Sequence, residues 1–216
     1  DFKNIQVNGK IAMKLKDSNK IVGVKICNDN DDILLSTKDG KCIRTPVSKL
    51  RTTKSRASIG VRGIKLAKDD SIISLSILSH LDVSSSEAKA YLKMSKVNKE
   101  NIEENEEDQN DEIEDINISE DRFQEMKACE QFVLTVTENG FGKRTSSYQF
   151  RVTNRGGSGI MCITTSSRNG SVLASFPVGH DDDIMLITKS GQLIRCPVID
   201  IRVAGRNTQG VSIFKT

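Results

Sequence analysis

Arginines recur at two fixed distances from a glycine in three stretches of this chain. The glycines each follow a turn residue and a short apolar run, and they are Gly40, Gly140 and Gly191. Four residues past them stand Arg44, Arg144 and Arg195. Eleven residues past them stand Arg51, Arg151 and Arg202. Guanidinium is a planar cation that pairs with phosphate through two parallel hydrogen bonds. Arginines repeated in this way predict a surface that binds a polyanion.

Further basic residues accompany the repeated arginines. We include Lys143, which precedes Arg144, among the predicted polyanion-binding residues of the three stretches. Four more lie deeper in the polar segments, namely Lys54 and Arg56 in the first, Arg155 in the second and Arg206 in the third. The first arginine of each stretch also has an alternative role. It lies on a returning strand, where it could pair with acidic residues of a neighbouring unit instead of with phosphate.

Other chemistries find little support in the sequence. His80 and His180 stand alone, without a cysteine or second histidine at the spacing of a zinc site. Tyr91 and Tyr148, the two tyrosines, lie in no recognisable catalytic context. The string Gly156–Gly159 lacks the lysine of a nucleotide-binding loop. We therefore predict no catalytic residue, no metal and no cofactor in this chain.

The elements that position the arginines can be inferred from the same stretches. A short apolar run reaches a turn at the first glycine, returns along a second run and enters the polar loop. A second glycine, at Gly60, Gly159 or Gly210, precedes a third run, such as Val61–Leu66 or Ile160–Thr164, and a fourth run closes the unit. A repeat of about fifty residues is typical of propeller-like arrays. We predict an all-β fold of four-stranded blades, in which the chain begins and ends inside a unit of a larger array.

One interval interrupts the repeat with an acidic insertion. Gly40 and Gly140 lie 100 residues apart, whereas Gly140 and Gly191 lie 51 apart. We place the insertion at residues 79–127, between blade units at 1–78 and 128–216. Its first part, 84–99, has a capping serine and predicts a helix, and the acidic part is expected to be disordered or loosely helical.

Charge is distributed unevenly between the insertion and the remaining chain. Residues 100–121 hold twelve acidic residues and no lysine or arginine, so the remaining chain has 32 basic residues against 17 acidic ones. A body this basic favours a polyanionic partner. The acidic segment is either a solvated tether or a brake that covers the basic surface and competes with that partner.

No apolar run approaches the length of a membrane span, and the first twenty residues lack the apolar stretch of a secretion signal. We therefore expect a soluble, cytoplasmic protein with no membrane partner.

The three stretches together resemble a known family. The strings "DGKCIRTPVSKLR", "NGFGKRTSSYQFRVTNRGGSGI" and "SGQLIRCPVIDIRVAGRNTQGV" are similar to the C-terminal domain of the DNA gyrase A protein and its topoisomerase IV counterpart. The resemblance covers everything except the insertion. It implies a β-pinwheel, a disc of blades whose basic perimeter wraps duplex DNA. The family's characteristic motif is a glutamine followed by Arg-Arg-Gly-Gly-Lys-Gly. It has only a partial counterpart here, at residues 154–159, which keep one arginine and three glycines.

The resemblance also implies a role and partners. The chain would bind and wrap duplex DNA without sequence preference, associated with the nucleoid. It would serve the ATPase subunit, together with the rest of the gyrase A protein, during ATP-dependent negative supercoiling, without catalytic residues of its own. A propeller-like scaffold for protein interactions is the alternative, although a basic perimeter with few aromatic residues favours DNA.

Overall fold

The structure is a computed structural model that describes residues 4–16, 19–97 and 118–215. Within these ranges most regular structure is β-strand, in two four-stranded sheets and one two-stranded hairpin. Two helices join the first sheet to the second. None of the helices in these ranges is long and apolar enough to cross a membrane.

The first blade is built on an antiparallel hairpin. Its strands, in the spatial order β3-β1-β2-β6, are β1 (Asp31–Thr37), β2 (Lys41–Pro46), β3 (Ile72–Ser79) and β6 (Ile160–Met161). The β1–β2 turn has Gly40 at φ +84°, a left-handed backbone conformation that suits glycine. Leu34 pairs with Arg44 across the hairpin, which fixes the face on which the repeated arginine lies.

The second blade repeats this arrangement. Its strands, in the order β10-β5-β4-β7, are β4 (Phe132–Thr137), β5 (Phe141–Ser146), β7 (Val172–Val178) and β10 (Val211–Ser212). Leu134 pairs with Arg144, as Leu34 does with Arg44. The third unit contributes a hairpin of β8 (Asp183–Ile187) and β9 (Leu193–Pro197), in which Met185 pairs with Arg195.

Each four-stranded blade is completed by the unit that follows it. The third run of the second unit forms β6 and pairs with β2 of the first blade, and β10 pairs in the same way with β5. The expectation that a unit supplies all four of its strands is therefore wrong. The third run of the first unit, Val61–Leu66, forms no strand. The described residues before β1 hold no strand that could receive it.

The hydrophobic core lies between consecutive sheets. Between the two blades, Leu34 and Leu78 of the first pack with Val133 and Val172 of the second, all four at most 2% exposed. A second cluster, which includes Leu134 and Val136 together with Ile184, Val198 and Ile201, joins the second blade to the third hairpin. Because neighbouring sheets share their cores, the units form one continuous stack.

The described ends of the insertion are helical and pack on the second unit. The helix predicted for 84–99 is confirmed as α1 (Ser85–Val97), and α2 (Glu120–Cys129) precedes β4. Ser84 and Glu87 form a reciprocal capping box, with Glu87 N–H donating to Ser84 Oγ at 3.1 Å and Ser84 N–H to Glu87 Oε2 at 2.9 Å. Residues 98–117, to which the predictions of disorder and of an acidic brake mainly apply, lie outside the described residues.

An aromatic cluster fixes this helix pair to the second unit. Tyr91 of α1 packs against Phe123 of α2 and against Tyr148, which lies in a short 3₁₀ helix after β5. Tyr148 Oη donates to the Met126 carbonyl at 2.7 Å, and Tyr91 Oη donates to Glu130 Oε2 at 2.9 Å. Burial is the main cause that raises the pKa of both phenols above the ordinary tyrosine value.

Candidate nucleic-acid interface

The polar loop of each later unit lies along the edge of the blade before it. Thr153 N–H donates to the Arg44 carbonyl at 2.9 Å, and Val152 forms a parallel bridge with Arg44. In the next unit, Ala204 N–H donates to the Arg144 carbonyl at 2.9 Å. Each later unit crosses to the preceding blade to supply β6 or β10. The same crossing places its polar loop along the edge of β2 or β5.

Successive loops also contact one another. Lys65 N–H, just past the first loop, donates to the Gly157 carbonyl of the second loop at 2.8 Å. Thr164 N–H, just past the second loop, donates to the Thr208 carbonyl of the third loop at 3.1 Å. We call residues 51–65, 151–164 and 202–210 the basic belt.

The belt lies at one edge of each four-stranded sheet, the edge formed by β2 and β6 in the first blade and by β5 and β10 in the second. At the opposite edge, β3 of the first blade packs against β7 of the second, and Ser76 Oγ donates to the Ser175 carbonyl at 3.1 Å. The belt is therefore on the side of the sheets opposite the β3–β7 contact.

The belt is strongly and exclusively basic. It holds nine lysines and arginines and no acidic residue, and the nine are Arg51, Lys54, Arg56, Arg62, Lys65, Arg151, Arg155, Arg202 and Arg206. Eight of them are exposed and Arg206 is half-buried. None of the nine forms an ion pair with a residue that the structure describes.

Local contacts hold parts of the belt in place without neutralising its charge. Arg56 Nη1 donates to the Ile11 carbonyl at 3.3 Å, and Arg155 Nη1 donates to the Arg62 carbonyl at 3.4 Å. A cleft of about 550 Å³ lies between the N-terminal segment and the first loop, lined by residues that include Met13, Lys54 and Arg56. Cations at such a cleft can accept an anion of phosphate size.

Seven of the eleven predicted site residues are brought together in the belt. They are Arg51, Lys54, Arg56, Arg151, Arg155, Arg202 and Arg206. Sequence reasoning missed Arg62 and Lys65. The signal was present, since residues 51–65 hold five basic residues and no acidic one. Both residues lie in the third run, whose pattern predicts a strand instead of a polar loop.

Arg44 is corrected to a structural residue. It is 5% exposed, and its Nε donates to Asp32 Oδ2 at 2.7 Å while Nη1 donates to the Ser147 carbonyl at 2.9 Å. Asp32 is itself fully buried and also contacts His80 Nδ1 at 2.9 Å. Ser147 lies in the 3₁₀ helix of the following unit, so the guanidinium is enclosed between the two blades and phosphate cannot reach it while they are packed together. The alternative of pairing with an acid applies here, although the acid belongs to the same blade.

Arg144 and Lys143 are likewise corrected, because both are buried. Arg144 Nε donates to the Ile201 carbonyl at 2.7 Å and Nη2 to the Ile199 carbonyl at 3.0 Å, while its guanidinium lies 5.8 Å from the centre of the Phe132 ring. Burial lowers the pKa of Arg144 from its ordinary value. Lys143 is fully buried and bonds to the third loop from beneath.

Arg195 is exposed but lies apart from the belt. Its side chain is 72% exposed and pairs with Asp183 of its own hairpin. Arg44 and Arg144, at the matching positions, donate to carbonyls of the next unit, and no described residue encloses Arg195 in that way. The three first-position arginines therefore share a strand position but not an environment.

Consecutive β-blades, completed by strands from the following unit and bordered by a basic belt, define a propeller-like repeat domain. The sequence matches the family described as DNA gyrase C-terminal domain, beta-propeller, over residues 2–28, 31–79, 131–178 and 182–216. The chain belongs to this family, and the parts left unmatched include most of the insertion.

Curated relatives extend the match over the whole chain. It is 48% identical over 217 residues to the DNA gyrase A protein of Rickettsia prowazekii (strain Madrid E), and 42% identical over 228 residues to that of Granulibacter bethesdensis (strain ATCC BAA-1260 / CGDNIH1). All of this chain is covered in both cases, but only 24% of each relative. The chain thus spans about a quarter of the length of these gyrase A proteins.

Solved structures agree on the fold. A structure of the DNA gyrase A C-terminal domain matches with a TM-score of 0.68 at 19% identity, covering 97% of this chain and 55% of that one. The C-terminal domain of DNA topoisomerase IV matches with a TM-score of 0.71 at 16% identity, covering 99% of this chain and 52% of that one. The predicted β-pinwheel is confirmed.

Proposed function

We propose that this domain binds and wraps duplex DNA through the basic belt, without reading base sequence. The observation that carries the proposal is the belt itself: nine basic side chains in loops that contact one another, with no acidic residue among them. Duplex DNA carries about one negative charge per 1.7 Å of its axis. A belt of nine cations along consecutive units suits that charge density.

Contacts to the DNA backbone account for this binding. The cations of the basic belt lie on loops. Helices α1 and α2 pack their apolar residues into the cluster around Tyr148, so their role is in packing and not in DNA contact. Gly156 and Gly157 have no atom closer than 3.8 Å to the position of an added Cβ, which leaves room for a phosphate to approach the loop backbone. DNA held along a curved surface must bend, and the added phosphate contacts offset the cost of bending.

In the intact gyrase A protein, the wrapped DNA is presented to the part of the enzyme that cleaves and rejoins it. The partners are then duplex DNA, the rest of the gyrase A protein and the ATPase subunit, while ATP-dependent negative supercoiling is the activity of the whole enzyme. The domain contributes binding and no catalytic residue, and it works in the cytoplasm at the nucleoid.

Salt-dependent DNA binding tests the proposal. We expect the triple substitution Arg151→Ala, Arg155→Ala and Arg202→Ala to weaken binding to a short duplex. It should also flatten the plot of log affinity against log salt by about 2 to 3, because each lost phosphate contact removes about 0.9 from the slope. Fluorescence anisotropy across a salt series measures both quantities.

A matched control removes the same charge elsewhere. Lys38 and Lys68 lie at the turn end of the first blade and Lys189 in the β8–β9 turn, and all three are exposed and outside the belt. Their triple alanine variant should bind like the parent chain. Equal effects of the two triple variants would mean that net charge, not the belt, determines affinity. Absence of duplex binding at low salt would overturn the proposal and favour the scaffold.

A further inference from the structure

Lys143 is a buried cation directed at one loop of the basic belt. It is fully buried on β5. Its Nζ donates to the Gly205 carbonyl, to the Thr208 carbonyl at 3.1 Å and to Thr208 Oγ1 at 3.0 Å. The two residues that it holds lie on either side of Arg206 and Asn207.

The same strand holds the third loop at neighbouring positions. The Arg144 N–H donates to the Arg202 carbonyl at 2.9 Å, and Thr145 Oγ1 donates to the Ala204 carbonyl at 3.0 Å. Arg206 N–H donates to Gln149 Oε1 at 2.8 Å. The backbone on both sides of the Arg206 side chain is thus fixed by β5 and the residues after it, with Lys143 at the far end.

The first unit shows that an ammonium group is not required here for the blade to form. Ile43 and Ile194 occupy the matching position in the first and third units. The loop that follows the first blade lies over Ile43, whose Cδ1 is 3.8 Å from the point where a Cβ would stand at Gly157. Burying a charged lysine is costly unless its donors are satisfied. A buried lysine at the position where the first blade packs an isoleucine points to a role beyond packing.

We propose that Lys143 is a positioning residue of the DNA interface, which holds residues 205–208 so that Arg206 meets a phosphate. By binding two carbonyls and a hydroxyl from beneath, it keeps these negative dipole ends away from the DNA and places a positive charge under the loop. Lys143 itself touches no phosphate. This inference rests on the proposed DNA-binding function.

A double-mutant cycle tests the coupling between Lys143 and Arg206. Lys143→Ile introduces the residue of the other two units and should weaken duplex binding about tenfold at low salt. In this background Arg206→Ala should cost much less affinity than in the parent chain. The slope of log affinity against log salt should fall by about 0.9 for Arg206→Ala in the parent chain, and the double variant should show no second fall of that size.

The cycle with Arg151→Ala is the control, because the loop of Arg151 lies over Ile43 and not over Lys143. Its cost should be the same with and without Lys143. A merely structural lysine would give additive effects in both cycles, and that outcome overturns the inference. If neither arginine substitution weakens binding in the parent chain, the proposed function fails instead.

Circular dichroism verifies that Lys143→Ile is folded. Should it unfold, the cycle is run with Thr208→Val, which removes one acceptor of Lys143 from a half-buried side chain. Coupling of Thr208→Val with Arg206→Ala, but not with Arg151→Ala, supports the positioning role. Additivity in this cycle overturns it.

Discussion

Arg44 and Arg195 occupy the same strand position in their units but have opposite surroundings. Arg44 is 5% exposed and shares the fully buried Asp32 with His80, whereas Arg195 is 72% exposed beside Asp183. In the second blade Phe132 stands where Asp32 stands in the first, and Arg144 packs over its ring. One residue type at one position thus serves three different environments.

This contrast predicts unequal costs for the same substitution. Arg44→Met leaves the buried Asp32 without its guanidinium partner and should lower the free energy of unfolding by about 3 to 5 kcal/mol. Arg195→Met breaks an exposed pair and should cost no more than about 1 kcal/mol. Urea denaturation of the two variants provides the comparison.

A second substitution separates charge from packing. Asp32→Asn combined with Arg44→Met removes the unpaired carboxylate, so the double variant should be more stable than Arg44→Met alone. If the double variant is less stable than the single one, the uncompensated charge is not the reason for the loss.

Among the elements, the helix pair depends on two neutral phenols. Tyr91 and Tyr148 are the only tyrosines, and both are buried in the cluster that joins α1 and α2 to the second unit. Tyr91 is further disfavoured as an anion by Glu130, to which it donates a hydrogen bond. Ser48 stands at the position of Tyr148 in the first unit, where none of the described helices docks.

Alkaline titration should release this helix pair. The folded pKa of both tyrosines is raised, so their contribution to stability is complete below the unfolded value of about 10 and is lost as the pH rises above it. We expect phenolate absorbance to rise at higher pH in the folded chain than in the denatured chain, together with a loss of helical circular dichroism. If the phenols of the folded chain ionise at the same pH as those of the denatured chain, and helicity is unchanged, then the two tyrosines do not hold the helix pair in place.

The β2–β6 pairing depends on a glycine at the point where the chain crosses between units. Gly159 has φ +72°, and an added Cβ would lie 2.5 Å from the Cys42 carbonyl oxygen. Gly191 has φ +84° but nothing within 4 Å of an added Cβ. Both positions carry the left-handed cost of an L-residue, about 1 kcal/mol.

Gly159→Ala should therefore destabilise the chain more than Gly191→Ala does. The excess reflects the clash with β2, and amides of Cys42 and its neighbours should lose protection from hydrogen exchange only in the Gly159 variant. Denaturation midpoints and exchange measured on both variants test this. Equal losses would mean that the crossing tolerates a side chain.

Local patterns predicted the strands but not their partners. The turn glycines and apolar runs define β1, β2, β4, β5, β8 and β9, and the capping serine before Glu87 marks α1. A third run such as Ile160–Met161 has the same sequence character whether it pairs within its unit or with the one before. The pairing of a third run with the preceding blade depends on long-range contacts, which the periodicity of the sequence does not encode.

The same limit explains which site residues were misplaced. Arg51 and Arg151 lie on loops and are exposed, as the sequence of their own units predicts, and their contact with DNA stays a prediction. Arg44, Arg144 and Lys143 are buried because residues of the next unit pack over them, which a single unit's sequence cannot reveal. The belt could be predicted as a property of the loops, but its members could not be separated from the strand arginines beneath it.

On the scale of the whole molecule, each blade is finished by residues that lie far along the chain. The first blade needs Ile160–Met161, about 115 residues after β2, and the second needs Val211–Ser212. During synthesis the β2 edge of the first hairpin therefore has no strand partner until Ile160–Met161 has emerged from the ribosome. The order of translation is then also the order in which the blades close, and a pause between units would leave the newest edge available to another nascent chain.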